Sequence, residues 1–102
     1  MPRRSTQKRD PLKVQALKQE LRDDLEAHRL TLGQATRRMR RIVGMTQPEY
    51  ARLLHLAPRV LMDVEKDRGN PTLDTLKKIG RPFNLKLVFV PIAPRRNAME
   101  SI

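Results

Sequence analysis

Signals that start helices recur at short intervals along this chain, and they restrict it to a set of short helices. Asp10 followed by Pro11 supplies a capping side chain and then a proline at the first helical position. The stretches 31–34 ("TLGQ") and 46–49 ("TQPE") have the spacing of a capping box, and Thr72 stands before a further apolar run. The pattern predicts a mainly α-helical domain in which each helix is only a few turns long.

The first helix is predicted to be amphipathic. Val14, Leu17, Leu21 and Leu25 recur at helical spacing, which predicts a helix over residues 11–30. Residues 31–84 then carry four further short helical patterns, separated by glycine and proline breaks. The apolar stripe of the first helix needs a surface to cover it. That surface is either its own domain, a second copy of the chain or another protein.

The segment 85–92 has a different pattern, because it begins "LKLVFVP" and is rich in β-branched and aromatic residues. It is predicted to be a strand, since alternate residues would lie on opposite faces. A single strand needs a hydrogen-bonded partner, and no other segment has a strand pattern. We therefore expect the strand to pair across a homodimer; the alternative is an extended tail packed on the helices. The dimerising residues are Leu85, Leu87, Val88, Phe89 and Val90.

The charge of the chain points to a polyanionic partner. Lysine and arginine total 22 against 11 acidic residues, a net charge of +11, which suits DNA, RNA or an anionic membrane. The densest basic run is "RRMRR" at 37–41, although such a run is also typical of a solvated helix face. The two ends, 1–10 and 93–102, lack apolar periodicity and are predicted to be disordered tails.

Several other classes of protein are disfavoured by the composition. No apolar run is long enough to span a bilayer, and the N-terminus lacks the apolar core of a secretory signal, so we expect a cytoplasmic protein without a membrane partner. There is no cysteine, and the histidines, His28 and His55, have no spaced carboxylate or cysteine partners. We therefore expect no enzyme activity, no metal site and no cofactor.

Residues 32–83 resemble the Xre, or lambda-repressor-like, helix-turn-helix family. The run "GMTQPEYARLLHLAPRVLMDVEKDRGNPTLDTLKKI" follows the order of family features without a gap. Gln47 stands where the family has a glutamine opening the first motif helix, and Ala51 is the small residue between the two motif helices. Glu65 closes the recognition helix. The resemblance implies a double-stranded DNA operator as the partner.

Three sets of site residues follow from this resemblance. The base-reading positions fall on Ala57, Pro58, Arg59, Met62 and Asp63. Only Arg59 is well suited to direct readout, because a guanidinium pairs bidentately with guanine. Phosphate contacts are expected from Gln47, Lys66, Arg68, Asn70, Arg37 and Arg41. Gln47 also lies in a helix first turn, where free N–H groups favour a phosphate. Lys66, Arg68 and Asn70 are individually as typical of a plain solvated surface.

The third set is a structural ion pair. Arg40 and Glu65 match two family residues that join the first helix of the core to the end of the recognition helix. Such a pair would leave the other arginines of the basic run for phosphates. It would fix geometry more than it adds stability.

Two functions compete. A strand after such a core is similar to HipB-type antitoxins, whose dimers share an intermolecular sheet, repress their own operon and neutralise a HipA-like kinase toxin. The alternative is a stand-alone Xre-type or phage-derived regulator with no toxin. A sequence-independent binder of single strands is disfavoured, because three aromatic residues offer little base stacking.

Overall fold

The computed structural model describes residues 10–92, and over that range it is helical. Five α-helices are followed by one 3₁₀ turn, Arg81–Phe83. The helices are α1 (Pro11–Glu26), α2 (Leu32–Val43), α3 (Gln47–Leu54), α4 (Pro58–Glu65) and α5 (Leu73–Gly80). The predicted tails at 1–10 and 93–102 lie outside the described residues, apart from Asp10.

The predicted helix starts are confirmed. Asp10 accepts a hydrogen bond from the Leu12 N–H, and the capping boxes of α2 and α3 are both complete. Thr72 accepts from the Thr75 N–H at the start of α5. The first helix is shorter than the predicted 11–30, since it ends at Glu26 and the chain turns at His28, whose φ is 57°.

α1 packs on its own domain. Leu21 is 1% exposed, and Val14, Leu17 and Leu25 lie against the same core. Asp24 fastens the far end of the helix, because Arg38 of α2 donates to its carboxylate at 2.9 Å. Hydrogen bonds from Arg38 and Arg29 lower the pKa of Asp24 below its ordinary value. Of the three surfaces that could cover the stripe of α1, the chain's own core is the one that does.

The core lies where α1, α2, α3, α4 and α5 meet. Ala51 of α3 is fully buried, and its small side chain lets α3 and α4 lie close together. The buried apolar residues are Leu21, Ala35, Met39, Ile42, Tyr50, Ala51, Leu54, Leu61, Val64 and Ile79.

Asp67 ties the loop after α4 to the start of α2. Its carboxylate accepts from the Gly33 N–H at 2.9 Å and from the Thr31 hydroxyl at 2.7 Å. The approach depends on glycine, because a Cβ at Gly33 would lie 2.6 Å from the Val64 carbonyl oxygen. Asp67 itself has a φ of 54°, so the loop takes a left-handed turn at this residue.

The C-terminal segment forms no strand within residues 10–92. After the 3₁₀ turn, the Leu85 N–H donates to the Gly80 carbonyl at 3.0 Å, and residues 85–92 then run without a backbone ladder inside the described range. The side chains are largely exposed, with Val88 at 60% and Phe89 at full exposure. A strand within the single chain is therefore absent here, because no other described segment is extended beside it. Pairing with a second copy stays a prediction.

Replacing Gly33 by alanine should destabilise the domain by about 1–2 kcal/mol. The added methyl group overlaps the Val64 carbonyl and pushes Asp67 away, which outweighs the higher helix propensity of alanine. Urea unfolding measures the change. The matched control is Gly80→Ala, where the nearest atom lies 3.2 Å from the new Cβ. An equal or smaller loss at Gly33 would show that the contact with α4 is not tight.

Candidate nucleic-acid interface

The turn between α3 and α4 is tight and strained at one residue. His55 ends α3 in the left-handed conformation with a φ of 61°, as expected for the position that often holds glycine. The Leu56 N–H donates to the Ala51 carbonyl at 2.8 Å, which closes the turn. Lys78 of α5 also reaches the His55 carbonyl, at 3.4 Å. These contacts fix the angle at which α4 leaves α3.

The start of α4 is exposed and carries little hydrogen-bonding chemistry. Ala57 is the N-cap and makes no side-chain hydrogen bond, and Pro58 occupies the first turn without an N–H to leave unpaired. Arg59 and Met62 point to the surface, while Leu61 of the same helix is fully buried. Arg59 is therefore the one predicted base-reading residue with a multidentate hydrogen-bond donor on an exposed helix face.

Asp63, the last predicted base-reading residue, is paired with the loop that follows α4. Arg68 approaches its carboxylate at 3.5 Å, and the Arg68 N–H donates to the Asp63 carbonyl at 2.8 Å. The pairing offsets part of the negative charge that Asp63 would bring to a phosphate backbone. Lys66 and Asn70, both predicted to contact phosphates, lie exposed in the same loop.

Glu65 is the centre of a buried polar cluster that joins three helices. Arg40 of α2 donates to its two carboxylate oxygens at 2.7 and 3.0 Å, a bidentate arrangement. Gln47 of α3 donates to the same carboxylate at 2.9 Å. Arg40 also donates to the Met45 carbonyl at 3.1 Å, and Arg37 donates to the Glu65 main-chain oxygen at 2.9 Å. The Glu65 side chain is 1% exposed, so water has almost no access to this charge.

The cluster decides the ionisation of Glu65. Burial alone would raise the pKa of this carboxyl, but hydrogen bonds from Arg40 and Gln47 outweigh it, and the pKa lies below its ordinary value. Glu65 is therefore ionised at neutral pH. Burial raises the pKa of the neighbouring Tyr50 to about 12, and the Glu65 charge adds to that effect.

Gln47 has a more constrained position than the sequence indicated. Its side chain is half-buried, and its amide nitrogen gives one hydrogen to Glu65, which leaves the second for another acceptor. Pro48 has no N–H, and the Glu49 N–H is taken by Thr46. The start of α3 therefore offers an anion the Gln47 amide and the Gln47 main-chain N–H, which forms no backbone hydrogen bond within residues 10–92.

The basic run 37–41 is largely used inside the domain. Sequence reasoning expected one inward arginine, yet Arg37, Arg38 and Arg40 each donate to a carboxylate or carbonyl of another element. Arg41 is exposed, and its expected contact with a DNA phosphate stays a prediction. Three of the four arginines in this run therefore bind groups of α1 and α4.

Neither the contacts of Asp67 nor the burial of the Tyr50 hydroxyl was predicted from the sequence. Asp67 holds the loop after α4 through partners 34 and 36 residues away, and no local pattern signals such a contact. The Tyr50 hydroxyl is buried next to the Glu65 cluster and has no hydrogen-bond partner among the described residues. Within residues 10–92 no acidic or histidine cluster could hold a metal ion, and no helix is long and apolar enough to cross a membrane.

Glu65→Gln should destabilise the domain by about 3 kcal/mol at neutral pH, because Arg40 is left partly buried without its counter-charge. The pKa of Glu65 is depressed in the folded state, so its contribution is present above the unfolded pKa, about 4.3, and is lost as the pH falls through the folded value. The difference between wild type and variant should therefore shrink in acid. Urea unfolding between about pH 3 and pH 7 tests this.

The matched control is Glu20→Gln on the exposed side of α1, which should change little. A neutral effect of Glu65→Gln at pH 7 would mean that the carboxylate does not hold the three helices.

Comparison with known proteins shows which family the chain belongs to. No curated protein and no solved structure matches the chain. Residues 37–90, more than half of the 102 residues, match the sequence profile of the helix-turn-helix family, which covers the Xre and lambda-repressor-like proteins. The match spans most of α2, all of α3, α4 and α5, and most of the C-terminal segment. The resemblance seen in the sequence is confirmed at this level, and the chain belongs to the helix-turn-helix family.

Proposed function

We propose that the protein is a dimeric, sequence-specific DNA-binding transcriptional regulator that inserts α4 into the major groove. The observation that carries the proposal is the two-sided character of α4. Its inner face, with Leu61, Val64 and Glu65, is buried, and its opposite face exposes Arg59 and Met62. A helix fixed in this way presents its N-terminal side chains to base edges without moving on its support.

Contacts to the DNA backbone come from both sides of α4. At the start of α3, Gln47 is held by Glu65 and keeps one amide hydrogen for a phosphate oxygen. On the other side, Lys66, Arg68 and Asn70 lie in the loop that Asp67 fastens to α2. These contacts would set the position of the helix in the groove but carry no sequence information.

Base readout is expected to be sparse. Arg59 alone can make a bidentate contact with guanine, and Ala57 and Met62 can only touch a thymine methyl. Asp63 could accept from a cytosine amine, although Arg68 already partly occupies its carboxylate. The remaining specificity would come from the spacing of two half-sites, which only a dimer reads, and from DNA shape.

A homodimer is supported by the C-terminal segment. Leu87, Val88, Phe89 and Val90 are exposed together, and residues 86–92 form no backbone hydrogen bond within the described range. An apolar segment with free N–H and C=O groups is a template for pairing with another strand. A second copy of the chain would cover it and would place two α4 helices on adjacent half-sites.

Neutralisation of a HipA-like kinase toxin stays a prediction that rests on the resemblance to HipB-type antitoxins. α1 offered a surface for such a toxin, but its apolar stripe packs on the core of its own domain. The stand-alone regulator is therefore the simpler of the two proposals, because it requires no surface for a toxin. A kinase-like reading frame next to the gene would favour the antitoxin, and its absence would favour the stand-alone regulator.

Arg59→Ala and Gln47→Ala should affect DNA binding in different ways. Loss of Arg59 should cost roughly 1–3 kcal/mol at a selected operator and relax the preference at one base pair of each half-site. Loss of Gln47 should weaken all sequences about equally, because a phosphate contact positions without specifying. Selection from a random DNA library, followed by titration at fixed salt, separates the two effects.

The matched control is Arg22→Ala on α1, which removes the same charge away from the proposed contact surface. It should leave the selected sequence unchanged. An unchanged preference profile for Arg59→Ala would overturn the assignment of α4 as the recognition helix.

A further inference from the structure

The backbone of the C-terminal segment favours pairing along one of its two edges. The Leu85 N–H is already bound to the Gly80 carbonyl at 3.0 Å, and Pro91 has no N–H. Both are odd-numbered positions. In an extended strand, successive N–H groups point to opposite edges, so the odd edge has lost donors at both ends. The even edge keeps the N–H groups of Lys86, Val88, Val90 and Ile92, none of which has a backbone partner in the described residues.

We propose that two copies of the chain pair antiparallel along this even edge, with the two-fold axis passing through Val88. This inference rests on the dimer proposed above and deepens it by assigning the register. In an antiparallel ladder, hydrogen-bonded and non-hydrogen-bonded residue pairs alternate. If the axis passed between two neighbouring residue pairs, symmetry would make both pairs the same type. Neighbouring pairs must differ, so this position is excluded. The axis must therefore pass through one residue and its own symmetry mate.

A hydrogen-bonded pair at Val88 uses the N–H groups of Lys86, Val88 and Val90 and needs neither of the two missing donors. Lys86 then forms a hydrogen-bonded pair with the partner's Val90, and Val90 with the partner's Lys86. Leu85 falls opposite the partner's Pro91 in a non-hydrogen-bonded pair, where no inter-strand N–H is required. An axis at Leu87 would use the committed N–H of either Leu85 or Asn84, and the latter already donates to Arg81 at 2.9 Å.

An axis at Phe89 would pair the same edge and would extend the ladder to Ile92, since the missing N–H of Pro91 points to the unpaired edge. The side chains decide between the two registers and favour Val88. Leu87 then lies beside the partner's Phe89 in the closely spaced type of pair, which covers the most exposed aromatic residue of the described chain. With the axis at Phe89, Leu87 would face the partner's Pro91 instead.

The charges fit the Val88 register as well. The two Lys86 residues would be four positions apart along the ladder, about 14 Å, which exceeds the Debye length of about 8 Å at physiological salt. Each Lys86 would lay its aliphatic stem against the partner's Val90 and keep its ammonium group in water. A parallel, in-register pair would instead set the two Lys86 side chains next to each other, and like charges in that position are destabilising.

Cysteine cross-linking of the full chain tests the register at single-residue resolution, because the chain has no cysteine of its own. Three single variants are oxidised with oxidised glutathione, which accepts the two electrons of each disulfide: Val88→Cys, Phe89→Cys and Lys86→Cys. A disulfide needs Cα atoms within about 7 Å. In the proposed register only the Val88→Cys pair is that close, since Phe89 and its mate are diagonal at about 7–8 Å or more.

Val88→Cys should therefore form a disulfide dimer at least ten times faster than either other variant, and urea should abolish the difference. Mixing Lys86→Cys with Val90→Cys should give a cross-linked heterodimer, although neither cross-links alone. Faster linking of Phe89→Cys would move the axis and overturn the register. Equal linking of all three variants would indicate parallel pairing and overturn it too.

Two further measurements separate this inference from the proposed function. Sedimentation of the wild-type chain reports the dimer: a dimer without Val88→Cys cross-linking would place the interface elsewhere and overturn the strand pairing. DNA titration of the reduced Val88→Cys variant reports the regulator. If the cysteine variants cross-link in a different pattern while the protein binds DNA, only the register is overturned. If the cross-linking pattern is the expected one but the wild-type chain does not bind DNA, only the proposed function is overturned.

Discussion

The buried carboxylate of Glu65 constrains the rest of the domain. A charge with 1% exposure is stable only if the protein supplies the hydrogen bonds that water would have made, and here Arg40 and Gln47 supply them. Those two residues belong to α2 and α3, and Glu65 ends α4. The relative position of the three helices is therefore set by the Glu65 charge, because moving α2 or α3 away would leave this buried charge without its hydrogen bonds.

This constraint reaches the surface that would meet DNA. Gln47 is held on one side by Glu65, so its remaining amide hydrogen has a defined direction. Arg37 holds the Glu65 carbonyl at the end of α4, and Asp67 holds the next turn against the start of α2. The exposed start of α4 has no side-chain cap of its own. Its orientation therefore depends on contacts at its buried face and its far end.

The sequence predicted the helices because their start signals are local. The capping boxes at Thr31 and Thr46 each involve residues three positions apart, and such pairs are visible without a fold. The Arg40–Glu65 contact was expected only through the resemblance to a family, since 25 residues separate the two. The contacts of Asp67 with Gly33 and of Asp24 with Arg38 had no such guide. They depend on how helices pack, which the pattern of one helix does not contain.

In the C-terminal segment the local pattern is clear, but the structure that it forms depends on a partner strand. Its β-branched and aromatic composition predicted a strand, but a strand is completed by a partner, and residues 10–92 of one chain contain none. The basic run 37–41 was a similar case, because a charge run does not reveal its counter-charges. Arg38 binds Asp24, and Arg37 and Arg40 bind Glu65 at the end of α4.

The central claim is that the Glu65 charge orients the DNA-contacting groups and does not merely stabilise the fold. The most direct measurement is non-specific DNA affinity of the double variant Arg40→Met/Glu65→Leu, together with its free energy of unfolding. Replacing a buried ion pair by apolar residues of similar size is often neutral for stability. We predict a folded domain with near wild-type stability and DNA binding weakened several-fold, because Gln47 has lost its anchor. A stable double variant that binds DNA as tightly as the wild type would contradict the claim.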